Sequence, residues 1–252
     1  MKKAILNALL GVTAAFLMSG AATAANVNPD VIFGSGNANG GFTVGTSNNI
    51  EVGLRAKQRF PVPANIFNYD GVDTYNFNAG ESAPGSGRPL WSFEWSINTD
   101  VAGTSGAKVQ DFTYQLRLDH DPSAGQSFTS FDPIMGPAAL LGMDHSFGDN
   151  STLNGQGVEV AAGDAPGYAN LIANNNVVQN SWQYQWFTVI DPLIAGLYRI
   201  EMDVLGVNGD VLSTAGINVV VSAVPLPAAL PLYGAGMAVL GFLGWRRKQK
   251  AA

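Results

Sequence analysis

WSFEWSIN, residues 91–98, alternates between large apolar and polar side chains along its whole length. Four apolar residues fall on one side of an extended chain: Trp91, Phe93, Trp95 and Ile97. The polar residues between them fall on the other side. A period of two is typical of a β-strand that buries one face. The stretch therefore predicts a strand whose aromatic face points inward.

The same alternation recurs along the chain. Residues 111–119 repeat it, and residues 99–107 (TDVAGTSGA) predict a loop, so 91–98 and 111–119 are expected to form a hairpin or neighbouring antiparallel strands. Further strands are predicted at 31–33, 42–44, 49–60, 179–189, 196–205, 211–212 and 217–221. Asn208-Gly209-Asp210 is a hairpin turn signal, because Asn and Gly tolerate positive φ.

Residues 25–222 contain no clear amphipathic helix pattern. Many short strands separated by Gly-rich turns predict a mainly β fold. We expect an antiparallel β-sandwich ectodomain of the Ig-like or jelly-roll type over this range.

The first 24 residues have the three-part layout of a secretory signal peptide. Lys2 and Lys3 precede an almost wholly apolar run, and Ala22-Thr23-Ala24 then supplies small residues at the positions that signal peptidase recognises. We expect export, with cleavage after Ala24 and cleavage after Ala25 as the alternative.

The C-terminal region, residues 223–252, combines an apolar span with a basic end. Residues 228–245 form 18 consecutive positions without a charge. At about 1.5 Å per residue a helix of this length reaches about 27 Å, close to the thickness of a thin bilayer core. We predict a single transmembrane helix at about 230–245, with its basic tail in the cytoplasm.

These residues resemble the VPLPA variant of the PEP-CTERM sorting signal. The resemblance is carried by a proline motif, the apolar span and a basic cluster: Val224, Pro225, Leu226, Pro227, Ala228, Arg246, Arg247 and Lys248. It covers about the last 29 residues, and Val-Pro-Leu-Pro-Ala replaces the Pro-Glu-Pro core of the main family. The resemblance implies sorting to the envelope of a Gram-negative bacterium by an exosortase-type membrane protease, in a setting of exopolysaccharide production.

Charge is unevenly distributed. Of the 13 basic residues, two lie in the signal and four in the tail, so the region between holds seven against all 19 acidic residues, a net charge of −12. An acidic ectodomain argues against a nucleic-acid partner, because phosphates require a basic surface. The chain has no Cys, which excludes disulfides, thiolate zinc sites and a cysteine nucleophile.

Catalytic motifs are scarce. His120 and His145 are the only histidines, and the sequence contains no Gly-x-Ser-x-Gly elbow, Walker loop or His-Glu-x-x-His motif. A pair of carboxylates for glycoside hydrolysis stays open, since such residues need not be close in sequence. We expect a protein that is not an enzyme.

Two segments are candidates for ligand binding. Asp119 and Asp121 could hold calcium, but the spacing does not complete a twelve-residue calcium loop, so an acidic strand end before a proline turn is the favoured interpretation. Trp182, Tyr184 and Trp186 alternate along a predicted strand and would stack on sugar rings if exposed. A buried core role is favoured for them.

Three functions follow in order of preference. The first is a noncatalytic envelope or extracellular-matrix protein, for which we expect no cofactor. The second is a carbohydrate-binding module, with calcium as an optional aid. The third is an extracellular hydrolase. The expected partners of the first are signal peptidase, the sorting protease, the membrane and exopolysaccharide.

Overall fold

The computed structural model describes residues 29–136, 144–224, 233, 235–242 and 246. The predicted signal peptide, with Ala22 and Ala24, lies outside these residues. So do Pro225, Leu226, Pro227, Ala228, Arg247 and Lys248 of the predicted sorting signal. Val224 and Arg246 are described.

Ten strands and one α-helix of regular length organise the described residues. The strands are β1 (Thr43–Ser47), β2 (Ile50–Gln58), β3 (Thr74–Asn78), β4 (Trp91–Asn98), β5 (Thr113–Asp119), β6 (Phe128–Phe131), β7 (Ser146–Gly148), β8 (Val177–Trp182), β9 (Gly196–Leu205) and β10 (Val211–Ser222). The helix α1 spans Ala165–Asn174. The prediction of a mainly β fold is confirmed.

The strands form two five-stranded sheets. Sheet A has the order β1-β2-β4-β8-β7 and is antiparallel throughout. Sheet B has the order β3-β10-β9-β5-β6, and it is antiparallel except where β3 pairs in parallel with β10. Apolar residues from both sheets meet in one core, to which Leu54 and Trp95 contribute from sheet A and Ile200 and Val219 from sheet B.

Strict alternation predicted two strands with their bounds. β4 begins and ends where residues 91–98 do, and β9 coincides with residues 196–205. Asn208-Gly209-Asp210 does turn β9 into β10, and Gly209 has a φ of 80° in that turn. A positive φ is what a tight hairpin needs at this point.

The predicted pairing of residues 91–98 with residues 111–119 is wrong. β4 lies in sheet A between β2 and β8, whereas β5 lies in sheet B between β9 and β6. The intervening loop crosses from one sheet to the other, and Asp100 holds it by accepting bonds from the backbone N–H groups of Thr104 (3.0 Å) and Gly106 (2.8 Å). Desolvation raises the pKa of Asp100, but hydrogen bonds from the backbone N–H groups of Ser105 and Gly106 outweigh it and hold that pKa well below its usual range.

Helix α1 is an element that the sequence pattern did not predict. Asp164 caps it by accepting a hydrogen bond from the backbone N–H of Gly167 at 2.9 Å. Tyr168 is its only buried residue, and the tyrosine hydroxyl donates to the carbonyl of Ile134 at 2.9 Å. One buried position in ten residues leaves too weak an apolar period for a helix to be recognised.

Towards the C-terminus, residues 233, 235–242 and 246 are helical. Among the described residues, no helix is both long enough and apolar enough to cross a membrane. Within the predicted span at 230–245, residues 230–232, 234 and 243–245 lie outside the described residues.

Gly45 shows how closely the sheets approach at one edge. A Cβ atom placed on Gly45 of β1 would overlap the carbonyl oxygen of Thr214 in β10. Ser213 reinforces the approach, since its hydroxyl donates to the Gly45 carbonyl at 3.3 Å. The edge strand β1 of sheet A therefore touches β10, an inner strand of sheet B, through backbone, and only glycine leaves room.

We predict that Gly45→Ala lowers the free energy of unfolding by about 2 kcal/mol, because backbone must move to admit the methyl group. Urea unfolding followed by tryptophan fluorescence measures the change. Thr46→Ala, whose side chain is exposed on the same strand, is the control and should change stability by less than about 0.5 kcal/mol. Equal stability of Gly45→Ala and the control would contradict the close approach.

Candidate functional site: the covered polar face of sheet A

The outer face of sheet A is polar and buried, which the sequence pattern did not predict. Alternation placed Glu51, Arg55, Lys57 and Glu94 away from the core, where a half-buried strand would expose them. All four are nevertheless at most 4% exposed. We call this surface of β2, β4 and β8 the covered face.

Residues 29–42 cover it. Gln179 on β8 fixes the start of this segment: its Oε1 accepts from the backbone N–H of Ile32 at 2.8 Å, and its Nε2 donates to the carbonyl of Asp30 at 2.7 Å. Val31 and Phe33 bury their side chains with Phe42 and Val44 in a small second core. The predicted strand at 31–33 is therefore a covering segment outside the sheets.

A cluster of three charges lies beneath this cover. Arg55 Nε donates to Glu94 Oε2 at 2.5 Å, and Lys57 Nζ pairs with the other carboxylate oxygen. The guanidinium of Arg55 also donates to the carbonyl oxygens of Ala38 (2.9 Å) and Gly40 (2.5 Å). Sheet and cover are thus joined by charge-assisted hydrogen bonds, the strong kind.

Burial lowers the pKa of Arg55 and of Lys57, and the nearby carboxylate of Glu94 acts in the opposite direction. The Arg55 guanidinium also lies over the rings of Phe42 (4.3 Å) and Phe67 (4.6 Å). These aromatic faces attract a cation while excluding water. The cluster is therefore structural in character, since every member is enclosed by protein.

Glu51 differs from that cluster. It lies directly opposite Asn98 of β4 and lines a cavity of about 200 Å³ between the covered face and the start of the covering segment. The other cavity residues that matter below are Pro29, Asp30, Ser96, Asp149 and Gln179. Burial raises the pKa of Glu51 to about 7. This cavity is the candidate site.

The aromatic platform, the less favoured interpretation of Trp182, Tyr184 and Trp186, does not assemble. β8 ends at Trp182, and Tyr184–Trp186 form a 3₁₀ turn in which alternation no longer holds. Trp182 and Tyr184 are buried in the core, as the favoured interpretation held, whereas Trp186 is 54% exposed. The sequence could not separate them, because the change from strand to turn occurs inside the aromatic run.

Asp119 and Asp121 organise their own loop. Asp119 Oδ1 accepts from the backbone N–H groups of Asp121 (3.1 Å) and Ser127 (2.8 Å), and Asp121 Oδ1 accepts from that of Ser123 (2.9 Å). Such bonds are those of an acidic turn. Among residues 29–136, 144–224 and the described C-terminal positions, no group of three or more metal-type side chains could hold an ion.

The two histidines lie in different surroundings. His120 shares a 3.0 Å hydrogen bond with the Ser127 hydroxyl near the surface. His145 is fully buried: its Nε2–H donates to the carbonyl of Pro133 at 2.9 Å, and its Nδ1 accepts from Asn180 Nδ2 at 2.7 Å. Both ring nitrogens of His145 are thus occupied by fixed partners, which leaves no free nitrogen for proton transfer.

Comparison with known proteins found no relationship: no family model matches the chain, and neither curated proteins nor solved structures include a match.

We predict that His145 makes stability pH-dependent. Burial lowers its pKa from 6.5 to about 4, so between these values the unfolded chain binds the extra proton and the folded chain does not. The stability that this lowered pKa contributes is complete above pH 6.5 and is lost as the pH falls towards 4. Between pH 6.5 and 4, the free energy of unfolding of the wild type should fall by about 3 kcal/mol more than that of His145→Gln.

Urea unfolding at several pH values between 4 and 7 measures this difference. Phe147→Leu, a non-titrating change to a ring 6.2 Å from His145, is the control and should lower stability by a similar amount at every pH. Parallel curves for wild type and His145→Gln would contradict a buried neutral imidazole.

Proposed function

We propose that this chain is an exported, noncatalytic protein of the cell envelope or extracellular matrix, sorted through its C-terminal signal. In this proposal signal peptidase removes residues 1–24, and an exosortase-type membrane protease recognises Val224-Pro225-Leu226-Pro227-Ala228, the apolar span and the basic tail. The partners are the membrane and exopolysaccharide.

The observation that carries the proposal is the place where the chain leaves the fold. β10 ends at Ser222, where Val221 pairs with Gly196 at the start of β9. The backbone N–H of Ala79 donates to the carbonyl of Ser222 at 2.7 Å and fixes this last residue. Only Ala223 separates the strand from the proline motif. We call this end of the two-sheet body the exit end.

The exit end carries exposed large apolar side chains. They are Trp186, Val189, Leu193, Ile194, Leu197 and Val224. The loop that carries most of them is tied to this end, since the N–H of Gly80 donates to the carbonyl of Pro192 at 2.7 Å. Several exposed apolar side chains on one loop support a contact with lipid or protein there. Tryptophan in particular is enriched at membrane interfaces.

The noncatalytic part of the proposal is supported by how the described titratable groups are used. His145 is enclosed, and Glu94 is enclosed with Arg55 and Lys57. Within the candidate cavity, a hydrolase would pair the carboxylate of Glu51 with that of Asp30 or Asp149. Asp149 Oδ1, however, already accepts from the N–H (2.8 Å) and hydroxyl (2.6 Å) of Ser151, bonds that shape its loop.

The finer architecture is part of the same proposal. The chain crosses from one sheet to the other between β2 and β3, β3 and β4, β4 and β5, β6 and β7, and β8 and β9. Frequent crossing of this kind is shared by Ig-like and jelly-roll sandwiches, and it supports the folded region as one of these two types.

We predict that deleting residues 224–252 releases the folded region from the envelope into the soluble periplasmic fraction. All ten strands are retained, so the loss removes only the membrane segment and motif. Fractionation and immunoblotting measure the distribution. The matched variant Pro225→Ala with Pro227→Ala keeps the apolar span, so we expect it to stay in the membrane fraction with an uncut tail. Envelope retention of the deleted protein would contradict the proposal.

The carbohydrate-binding alternative now depends on Trp186, whose ring is exposed beside the polar side chains of Gln183 and Gln185. We predict that wild type and Trp186→Ala give the same signals on glycans, because a single ring offers little stacking area. A glycan array measures this, with Val189→Ala on the same loop as the control. A specific signal lost only in Trp186→Ala would favour the alternative.

A further inference from the structure

Glu51 is a buried carboxylate without a protein partner. It is 4% exposed, and no residue that the structure describes donates a hydrogen bond or a salt bridge to it. Burial accounts for its raised pKa, and no charged neighbour offsets that loss of water. A buried carboxylate of this kind is costly to ionise unless a ligand brings a positive charge to it.

The floor of the cavity is built from the outer face of sheet A. Glu51, Asn98 and Val177 lie opposite one another across β2, β4 and β8, and they form one row of the floor. Ser96 and Gln179, which also lie opposite each other, form the next row. Strands fixed in a sheet hold these side chains in place, so Glu51 is presented on a rigid surface.

Two segments form the walls and leave an opening. One is the start of the covering segment at residues 29–32, and the other is the loop after β7 at residues 149–152. Asp30, Asp149 and Asn150 belong to these walls and are exposed. The cavity is therefore reached from solvent between the two segments.

The amide groups on the floor already use their donors. Gln179 Nε2 donates to Ser96 Oγ at 2.9 Å and to the carbonyl of Asp30 at 2.7 Å, and Asn98 Nδ2 donates to Asn150 Oδ1 at 2.8 Å. None of the described lining residues is Lys, Arg or His. A ligand has to supply both a positive charge and N–H donors, and a primary ammonium group has three donors and no acceptor.

The size of the cavity favours an organic cation over a bare ion. No described set of three metal-type side chains could hold a metal ion. A cavity of about 150 Å³ takes a molecule the size of benzene, so about 200 Å³ has room for about six to eight non-hydrogen atoms. The described lining also offers apolar surface for such a body: Pro29, Ile32, Val101 and Val177.

We propose that this cavity binds a small organic molecule with a primary ammonium head, which donates a charge-assisted hydrogen bond to the Glu51 carboxylate. The compact body of the ligand packs against the apolar part of the lining. The site stands apart from export and sorting, since the described residues that form it lie in the folded region.

The test uses cyclohexylammonium chloride as the probe and the purified full chain at pH 8. Cyclohexanol, which has the same shape and no charge, is the matched control ligand. Isothermal titration calorimetry measures both at constant ionic strength. We expect cyclohexylammonium to bind with a Kd of about 1 mM or tighter, and cyclohexanol to bind at least about tenfold more weakly, because it lacks the charge that Glu51 receives.

A pair of variants places the binding at Glu51. Glu51→Gln should weaken cyclohexylammonium binding by about 10- to 100-fold, since a neutral amide replaces the carboxylate. Its unfolding temperature should not fall, because the change removes an unpaired buried charge. Glu81→Gln, which makes the same change at the opposite end of β4 from Asn98, is the control and should bind as wild type does.

The pH dependence of the wild type gives a readout that needs no variant. With a pKa of about 7, Glu51 is mostly protonated at pH 6, so the affinity there should be about tenfold lower than at pH 8. The probe stays charged at both values, since alkylammonium groups such as that of Lys titrate near about 10.4. The other titratable groups in the described lining are the acids Asp30 and Asp149, and hydrogen bonds from Ser151 lower the pKa of Asp149.

Four results would overturn the proposal. They are equal affinity for cyclohexanol, equal affinity of Glu51→Gln, an affinity that does not change between pH 6 and pH 8, and no saturable binding below about 10 mM. Competition separates the remaining sources of charge. If ammonium chloride or calcium chloride displaces the probe at equal concentration, the cavity takes a bare ion and the organic ligand is wrong.

Discussion

A charge removed from water needs a partner of opposite sign, and this requirement at Glu94 organises one side of the molecule. Glu94 lies in the central strand of sheet A, on the face away from the core, and is fully buried. Its partners Arg55 and Lys57 come from the neighbouring strand, and Arg55 extends to the carbonyls of the covering segment. Removing one partner from such a set usually costs about 3–5 kcal/mol. Sheet, cover and charges therefore have to form together.

The sequence predicted strands correctly where the alternation of neighbouring residues alone determines which side chains are buried. Residues 91–98 and 196–205 alternate strictly, and each became a strand with the expected inward face. It failed where distant contacts decide. Period two identifies the apolar face but does not say whether another segment covers the polar one. Nor does it assign a strand to a sheet, which is why β4 and β5 were expected together.

The candidate site lay beyond prediction for the same reason. Glu51 and Glu94 both occupy polar positions of alternating strands, and nothing near them in the sequence distinguishes the two. Their difference comes from Arg55 and from the covering segment, which give Glu94 partners and leave Glu51 beside a cavity. The Gly- and Asn-rich composition of residues 25–48 predicted loops around short strands at 31–33 and 42–44. It carried no signal that those loops would lie across a sheet.

The position of β10 has a mechanical consequence. This strand lies between β3 and β9 inside sheet B, and its last residues lead directly to the C-terminal segment. In a protein held by that segment, a pull on the folded body would run along the axis of β10. Because interstrand hydrogen bonds lie across that axis, the load would shear the ladders on both sides of β10 at once, where a pull on an edge strand could open them one after another. A two-sheet body held in this way would be supported by the ladders on both sides of β10.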